Sequence, residues 1–178
     1  MQVRSFSIRI PVTDERVRIL DRTKTEKEVL TVVKDHLFKP KGQKLVEFNP
    51  KEICVCLRED LMESGRSDLT EIKTPKAQIG YYSDKRLIAE GIVTDLFRKA
   101  EELGYEKWGE LTTSSEEYIF PNRVTVLWQM INPVGNFVKV ESFTLSGFEE
   151  IMRLLSAGEE EKIEENAAVL LAEQMGLI

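Results

Sequence analysis

The chain has 178 residues, of which 42% are hydrophobic, and it carries 25 Lys and Arg against 31 Asp and Glu. This length can bury one well-filled core, so we expect a single domain over residues 1–178. The net charge of -6 argues against an extended nucleic-acid surface, although it allows a local basic pocket. Without an apolar run of the roughly 20 residues that span a membrane, and without a signal-peptide core, we expect no membrane contact and a cytoplasmic location.

The first forty residues predict short strands followed by a helix. Three segments come first: Val3–Ile10 as a strand, Pro11–Asp14 as a turn and Val17–Leu20 as a second short strand. Thr25 and Glu28 then form a capping-box pattern, and apolar residues at helical spacing over 29–37 predict a helix that ends before Pro40. His36, the only histidine, is interpreted as a core-edge residue and not as a catalytic or ligating group.

The middle of the chain alternates strands with one strongly amphipathic helix. Four strands are predicted, over Lys44–Phe48, Ile53–Leu57, Leu69–Lys73 and Arg86–Glu90. An apolar stripe from Ile92 to Leu103 predicts a helix, and Gly104 follows where a C-terminal cap is expected. Cys54 and Cys56 point to the same face of their strand and are predicted to be free thiols, since a disulfide between them would strain the backbone.

The C-terminal part predicts a long strand, a hairpin and two helices. The strand covers Trp108–Phe120, and the hairpin covers Val124–Glu141 with its reversal at residues 132–136. A helix is predicted over Phe148–Leu155. A second helix carries the apolar residues between Ile163 and Met175, with acidic Glu159–Glu161 in its first turn. The whole pattern indicates an α+β fold whose antiparallel sheet of about eight strands could form a closed or nearly closed barrel, with helices outside.

The order of these segments resembles the CYTH superfamily, the triphosphate tunnel proteins that include class IV adenylyl cyclases and thiamine triphosphatases. The resemblance is strongest from Ile53 to Glu141. It rests on an Arg-containing strand, a Lys-x-Pro strand, a helix ending in Leu103-Gly104-Tyr105 and a Gly-containing hairpin. It implies a tunnel in which Arg and Lys hold a triphosphate and carboxylates hold magnesium or manganese.

At the positions that match the family motifs, this chain retains several cationic residues but has lost most of the acidic ones. Three residues match cationic positions of the family, namely Arg9, Arg58 and Lys73, and together with Lys139 they form a predicted anion-binding set. Only Glu90 and Glu141 remain as acids for a rearranged metal site. Neutral or apolar residues occupy the other motif positions, namely Ser5, Ser7, Cys56, Ile88, Thr113, Ser115, Gln129, Asn132 and Asn136. Lys139 itself replaces an acid and would repel a divalent ion.

Three functions follow as hypotheses. The first is a CYTH-like protein with a degenerate metal site, which binds a small phosphorylated metabolite or nucleotide and needs no cofactor. The second is a divergent triphosphatase or adenylyl cyclase, whose magnesium or manganese would be held by Glu90, Glu141 and acids such as Glu47 or Asp60. The third is a non-catalytic scaffold or subunit with an apolar interior. The sequence leaves the catalytic residues, the ligand and the oligomeric state open.

Overall fold

The computed structural model describes residues 6–23, 29–63, 66–73, 81–82, 84–163 and 165–178. Within these residues, nine antiparallel strands form a single sheet. The strands are β1 (Phe6–Pro11), β2 (Val29–Pro40), β3 (Ile53–Asp60), β4 (Ser67–Lys73), β5 (Tyr81–Tyr82), β6 (Asp84–Gly91), β7 (Tyr105–Ile119), β8 (Thr125–Asn132) and β9 (Gly135–Ser142). The architecture is therefore α+β with an antiparallel sheet.

The sheet curls so that its two edges approach each other. Its strand order is β5-β1-β9-β8-β7-β2-β3-β4-β6, which places β5 and β6 at opposite edges. Yet Tyr82 at the end of β5 and Asp84 at the start of β6 are two residues apart, a reach of about 7 Å at most. No ladder of backbone hydrogen bonds joins these two edges among the described residues. The curled sheet is consistent with a tunnel-like fold, but of the predicted closed or nearly closed barrel, full closure is not confirmed in the described residues.

Helices cover parts of the outer face. They are α1 (Asp14–Thr23), α2 (Leu45–Phe48), α3 (Val93–Glu102), α4 (Leu145–Leu154) and α5 (Ala167–Gln174). Helices α1 and α4 pack on β1, β8 and β9 in one apolar cluster, and α3 packs on β2, β3 and β4 in another. None of the helices in the described residues is both long and apolar enough to cross a membrane.

Two predictions for the first forty residues are wrong. Val17–Leu20 lies in helix α1, whose Asp14 and Glu15 in the first turn and Arg22 in the last turn complement the helix dipole. Residues 29–37 form strand β2 and not a helix. Strand β2 pairs with β7 along its whole length and with β3 along half of it. The β-branched residues of this segment fit either pattern, and pairing on both sides decides the outcome. The capping-box residues Thr25 and Glu28 lie outside the described residues.

Two further segments differ from expectation. Lys44–Phe48 forms the short helix α2 and not a strand, and the Glu47 carboxylate accepts from the backbone N–H of Lys44 at 3.0 Å. Glu159–Glu161 forms a separate 3-10 turn, and α5 begins only at Ala167 with Asn166 as its N-cap. The acidic run therefore does not start the last helix. Its Glu161 instead pairs with Arg16.

The remaining predicted elements are confirmed. Strands β3, β4 and β6, helix α3, strand β7, the β8–β9 hairpin and helix α4 all occur where the pattern places them. Gly104 ends α3 with a φ of 83°, a left-handed conformation that favours glycine. The correct alternation along these strands fixes which side chains face the interior.

Candidate anion-binding site

The interior holds a cavity of about 310 Å³. Its lining combines the inward side chains of the eight longer strands, β1 to β4 and β6 to β9, with residues at the start of α5. Inward positions recur at every second residue, as in Arg9 after Ser7 and Glu141 after Lys139. One cavity lined by all eight strands shows that the sheet wraps around it.

The lining carries more cations than carboxylates. Among the described residues of the lining, the four cationic ones are Arg9, Arg58, Lys85 and Lys139, and the two acidic ones are Asp35 and Glu141. This part of the lining has an excess of two positive charges, although the whole chain has a net charge of -6. An enclosed positive site of this kind attracts a small anion.

Arg58 and Asp35 form a two-pronged ion pair between adjacent strands. Arg58 donates through Nε to Asp35 Oδ1 at 2.7 Å and through Nη2 to Oδ2 at 2.8 Å. Burial acts to raise the pKa of Asp35, but hydrogen bonding and the charge of Arg58 outweigh it and lower that pKa. The Arg58 side chain remains 48% exposed, so this cation can still meet a ligand in the cavity.

A second cationic group lies on β1 and β9. Lys139 Nζ is 2.5 Å from Glu141 Oε1, and Arg9 donates through Nε to Gln129 Oε1 at 3.4 Å. Arg9 and Lys139 are paired directly across the two strands. Burial lowers the pKa of Lys139, and the neighbouring charge of Arg9 acts in the same direction although Glu141 opposes it. The charge of Lys139 in turn lowers the pKa of Glu141. An anion beside Lys139 and Arg9 would relieve their mutual repulsion.

Lys85, and not the predicted Lys73, completes the cationic set. Ile72 on β4 lines the cavity and pairs with Lys85 on β6, so both side chains face inward. Lys73 is the next residue after Ile72, so its side chain points to the opposite face of the sheet, where it is exposed. The Lys-x-Pro resemblance therefore selected the wrong lysine. Strand pairing, which the sequence alone did not supply, identifies Lys85.

The predicted acids are not gathered around the cavity. Glu141 lines it, but Glu90 is exposed and lies 3.4 Å from Arg66 Nη1, outside the lining. Glu47 caps α2, and Asp60 accepts backbone hydrogen bonds in the turn after β3. Among the described residues, no three His, Cys, Asp or Glu side chains are grouped so that they could hold a metal ion.

The amide side chains of the β8–β9 hairpin lie on both faces of the sheet. Gln129 lines the cavity and is 8% exposed. Asn132 follows the cavity-lining Ile131, and Asn136 is paired with Met130, so both asparagines face outward and are exposed. The expectation that all three amides replace interior acids is therefore wrong for Asn132 and Asn136.

Other motif positions do face the interior. Ser7, Thr113 and Ser115 line the cavity and are 7%, 7% and 5% exposed. Ser5 lies outside the described residues. The register of β1 and β7 inferred from the resemblance thus places these hydroxyls correctly, on the same side as Arg9.

The two cysteines also line the cavity, as free thiols. Burial raises the pKa of the Cys54 thiol to about 12, and burial likewise raises the pKa of Cys56. Both thiols therefore stay protonated at neutral pH. A protonated thiol is a weak nucleophile and a poor metal ligand, so these residues act as small apolar groups.

His36 lies on the outer face of β2 under helix α3. It is 5% exposed, and its ring packs edge-on against Phe97 with centroids 4.8 Å apart. Lys107 Nζ lies 3.0 Å from Nδ1, and Glu59 Oε2 lies 2.5 Å from Nε2. Since a lysine can only donate, Nδ1 accepts and Nε2 donates. These contacts fit a structural residue.

Helix α5 closes one end of the cavity. Asn166 caps the helix by accepting from Val169 N at 2.9 Å, and its Nδ2 donates to Pro50 O at 3.1 Å. Leu171 approaches strand β7 at Gly109, where a Cβ would lie 3.0 Å from a Leu171 methyl carbon. Residues 166–168 at the start of α5 therefore form part of the cavity wall.

Comparisons with known proteins support a fold and leave the reaction open. No protein-family model matches the chain, and no curated protein matches its sequence. A solved protein from Pyrococcus horikoshii is similar at 16% identity with a TM-score of 0.74, covering 96% of this chain and 99% of its own. A candidate adenylate cyclase from Vibrio parahaemolyticus is similar at 11% identity with a TM-score of 0.68, covering 94% and 97%.

A third similar structure connects this fold to triphosphate chemistry. It is a candidate adenylyl cyclase from Hippeastrum, described as having a dominant triphosphatase activity. It shares 9% identity and a TM-score of 0.62, and the match covers 99% of this chain and 96% of that one. The chain has the CYTH fold. At such low identities the CYTH fold fixes where the strands run, whereas the side chains in the cavity must decide the chemistry.

Proposed function

We propose that this protein is a divergent CYTH-like binder of a small phosphorylated anion and that it holds this ligand without a divalent metal. The observation that carries the proposal is the excess of two positive charges among the residues that line the cavity. Arg and Lys side chains bind phosphate through charge-assisted hydrogen bonds. A cavity of about 310 Å³ suits a small metabolite.

The carboxylates of the cavity are a poor fit for magnesium or manganese. Asp35 is engaged by Arg58 through both of its oxygens, and Glu141 lies 2.5 Å from Lys139. A divalent ion would have to displace these cations and then remain close to them. Magnesium also requires near-octahedral oxygen coordination, for which the described residues of the lining supply two carboxylates, on different strands.

The matched lysines Lys85 and Lys73 provide the test. Lys85 faces the cavity and Lys73 faces away from it, while each forms no ion pair with the described residues. We expect calorimetry to detect inorganic phosphate binding to the wild type. Lys85→Gln should weaken it by about tenfold, since a hydrogen bond to a charged group contributes roughly 1.5–3 kcal/mol. Lys73→Gln should bind like the wild type. Equal affinities in all three proteins, or no phosphate binding at all, would reject the proposal.

The second candidate is a divergent triphosphatase or adenylyl cyclase. It is favoured by the similarity to the Hippeastrum protein with its triphosphatase activity. Turnover assays distinguish this enzyme from the metal-free binding protein. The substrates are tripolyphosphate, thiamine triphosphate and ATP, each assayed with magnesium and with manganese. Metal-dependent product at a rate that Glu141→Gln abolishes would support the enzyme. A scaffold without a ligand would instead predict an apolar interior, and the four cations in the lining argue against it.

A further inference from the structure

One wall of the cavity is neutral and rich in hydroxyl groups. Thr31 on β2 is paired with Ser115 on β7, and Ser115 is paired with Gln129 on β8. Thr113 lies two residues before Ser115 and faces the same way. We name Thr31, Thr113 and Ser115 the hydroxyl wall.

The hydroxyls of this wall have no partner within the described part of the protein. Thr113 and Ser115 are 7% and 5% exposed, yet no side chain of the wall forms a hydrogen bond with a described residue. No fully enclosed side-chain oxygen lacks a partner in the described residues, so these oxygens open into the cavity. Buried hydroxyl groups normally have partners. Because these oxygens open into the cavity, they are available for hydrogen bonds to a ligand there.

The charge of the cavity limits what this ligand can be. A phosphate monoester carries about -1.5 to -2 charges at neutral pH, which matches the excess of two positive charges in the lining. A triphosphate would bring more negative charge than the lining can neutralise without a metal. Apolar side chains beside the hydroxyl wall, namely Val33, Leu127 and Ile131, can contact a carbon skeleton.

From these observations, and resting on the proposed function, we infer that the ligand is a phosphomonoester of a polyhydroxylated compound. The cations Arg9, Arg58, Lys85 and Lys139 bind its phosphate group, and the hydroxyl wall binds the hydroxyl groups of its carbon skeleton. The hydroxyl wall is thus a specificity-determining surface.

Two probe ligands of equal carbon length test this inference. Glycerol 3-phosphate carries two hydroxyl groups, whereas 1-propyl phosphate has none. We expect calorimetry on the wild type to show tighter binding of glycerol 3-phosphate by about tenfold, as two additional net hydrogen bonds would give. Equal affinity of the wild type for the two probes would overturn the inference even before any variant is made.

Variants on the two faces of β7 test whether the hydroxyl wall causes the preference for glycerol 3-phosphate over 1-propyl phosphate. The double variant T113V/S115A removes two hydroxyls from the cavity and should abolish the preference while leaving the affinity for 1-propyl phosphate within about twofold. The matched control T112V/S114A changes the outer face of the same strand and should retain the preference. Persistence of the preference in T113V/S115A would contradict the role of the wall. If both probes bind equally, the proposed phosphate-binding function is retained and the role of the hydroxyl wall is rejected. If neither probe binds, both proposals are rejected.

Discussion

Two regions of this protein enclose cationic side chains, and only one of them has the properties of a ligand site. Outside the sheet, Arg16 is 4% exposed and every described contact of its guanidinium is with the protein itself. It donates to Leu155 O at 3.1 Å, to Pro11 O at 3.0 Å and to Ser156 O at 3.3 Å, and it pairs with Glu161 at 2.6 Å. This arginine ties α1 to the end of α4 and uses four of its five N–H groups on the protein itself.

The cavity differs because several of its polar groups face open space. Among the described residues of its lining, cations outnumber carboxylates by two, and Thr113 and Ser115 form no side-chain hydrogen bond with a described residue. Burial of a charge therefore does not identify a binding site by itself. A net positive lining beside hydroxyl groups that open into a cavity is the stronger indication, since both are available to a ligand there.

The largest expected effect is on stability, at Arg16. Arg16→Met should lower the free energy of unfolding by about 3 kcal/mol, because it leaves the buried carbonyl of Leu155 without its donor and also removes the bonds to Pro11 O, Ser156 O and Glu161. Urea denaturation measures the change. Arg18→Met, on the exposed side of the same helix, should stay within about 0.5 kcal/mol of the wild type. A small effect at Arg16 would remove the distinction between the two regions.

Arg58 should show an intermediate effect, since it contributes to both stability and binding. Arg58→Met leaves the buried carboxylate of Asp35 unpaired and should cost roughly 2 kcal/mol, less than in a dry interior because the cavity admits water. The control is Arg86→Met, which breaks the more exposed pair with Glu71 and should cost about 0.5 kcal/mol or less. Equal losses in denaturant melts of the two variants would show that the Asp35 pair is no more than a surface ion pair.

Acid should act on the cavity through its two carboxylates. The pKa values of Asp35 and Glu141 are both lowered in the folded protein. The stability that they contribute is therefore present above their unfolded pKa values of about 4 and is lost as the pH falls through the folded values. We expect the unfolding free energy to decrease below about pH 5, and Asp35→Asn should make this dependence shallower. An unchanged slope in that variant would contradict the assignment.

The smallest change in stability is expected at Lys85. Lys85→Gln removes a charge that has no ion-pair partner in the described residues, so its melting temperature without ligand should differ little from that of the wild type. Added phosphate should raise the melting temperature of the wild type more than that of the variant, because only bound ligand stabilises the folded state. An equal rise in both proteins would place the phosphate away from Lys85.

The sequence predicted much of the site because strand alternation is strict. The family resemblance supplies Arg9, Arg58 and Lys139, and all three line the cavity because inward positions recur at every second residue of β1, β3 and β9. The position of Gly104 likewise marks the end of α3. These features are local, so a single sequence carries them.

The errors arose where pairing between strands determines the structure. The Lys-x-Pro motif points to Lys73, but the pairing of β4 with β3 and β6 turns Ile72 and Lys85 inward, and a shift of one residue reverses the face. Residues 29–37 satisfy a helical spacing, but β3 and β7 pair with them from both sides. The hydroxyl wall could not be recognised as a unit until β2, β7 and β8 were placed side by side.

The most direct test of the central claim is the affinity for inorganic phosphate, measured by calorimetry with EDTA and again with excess Mg²⁺. An anion site that relies on Arg9, Arg58, Lys85 and Lys139 predicts the same dissociation constant in both conditions. Phosphate binding that appears only with Mg²⁺ would contradict the account.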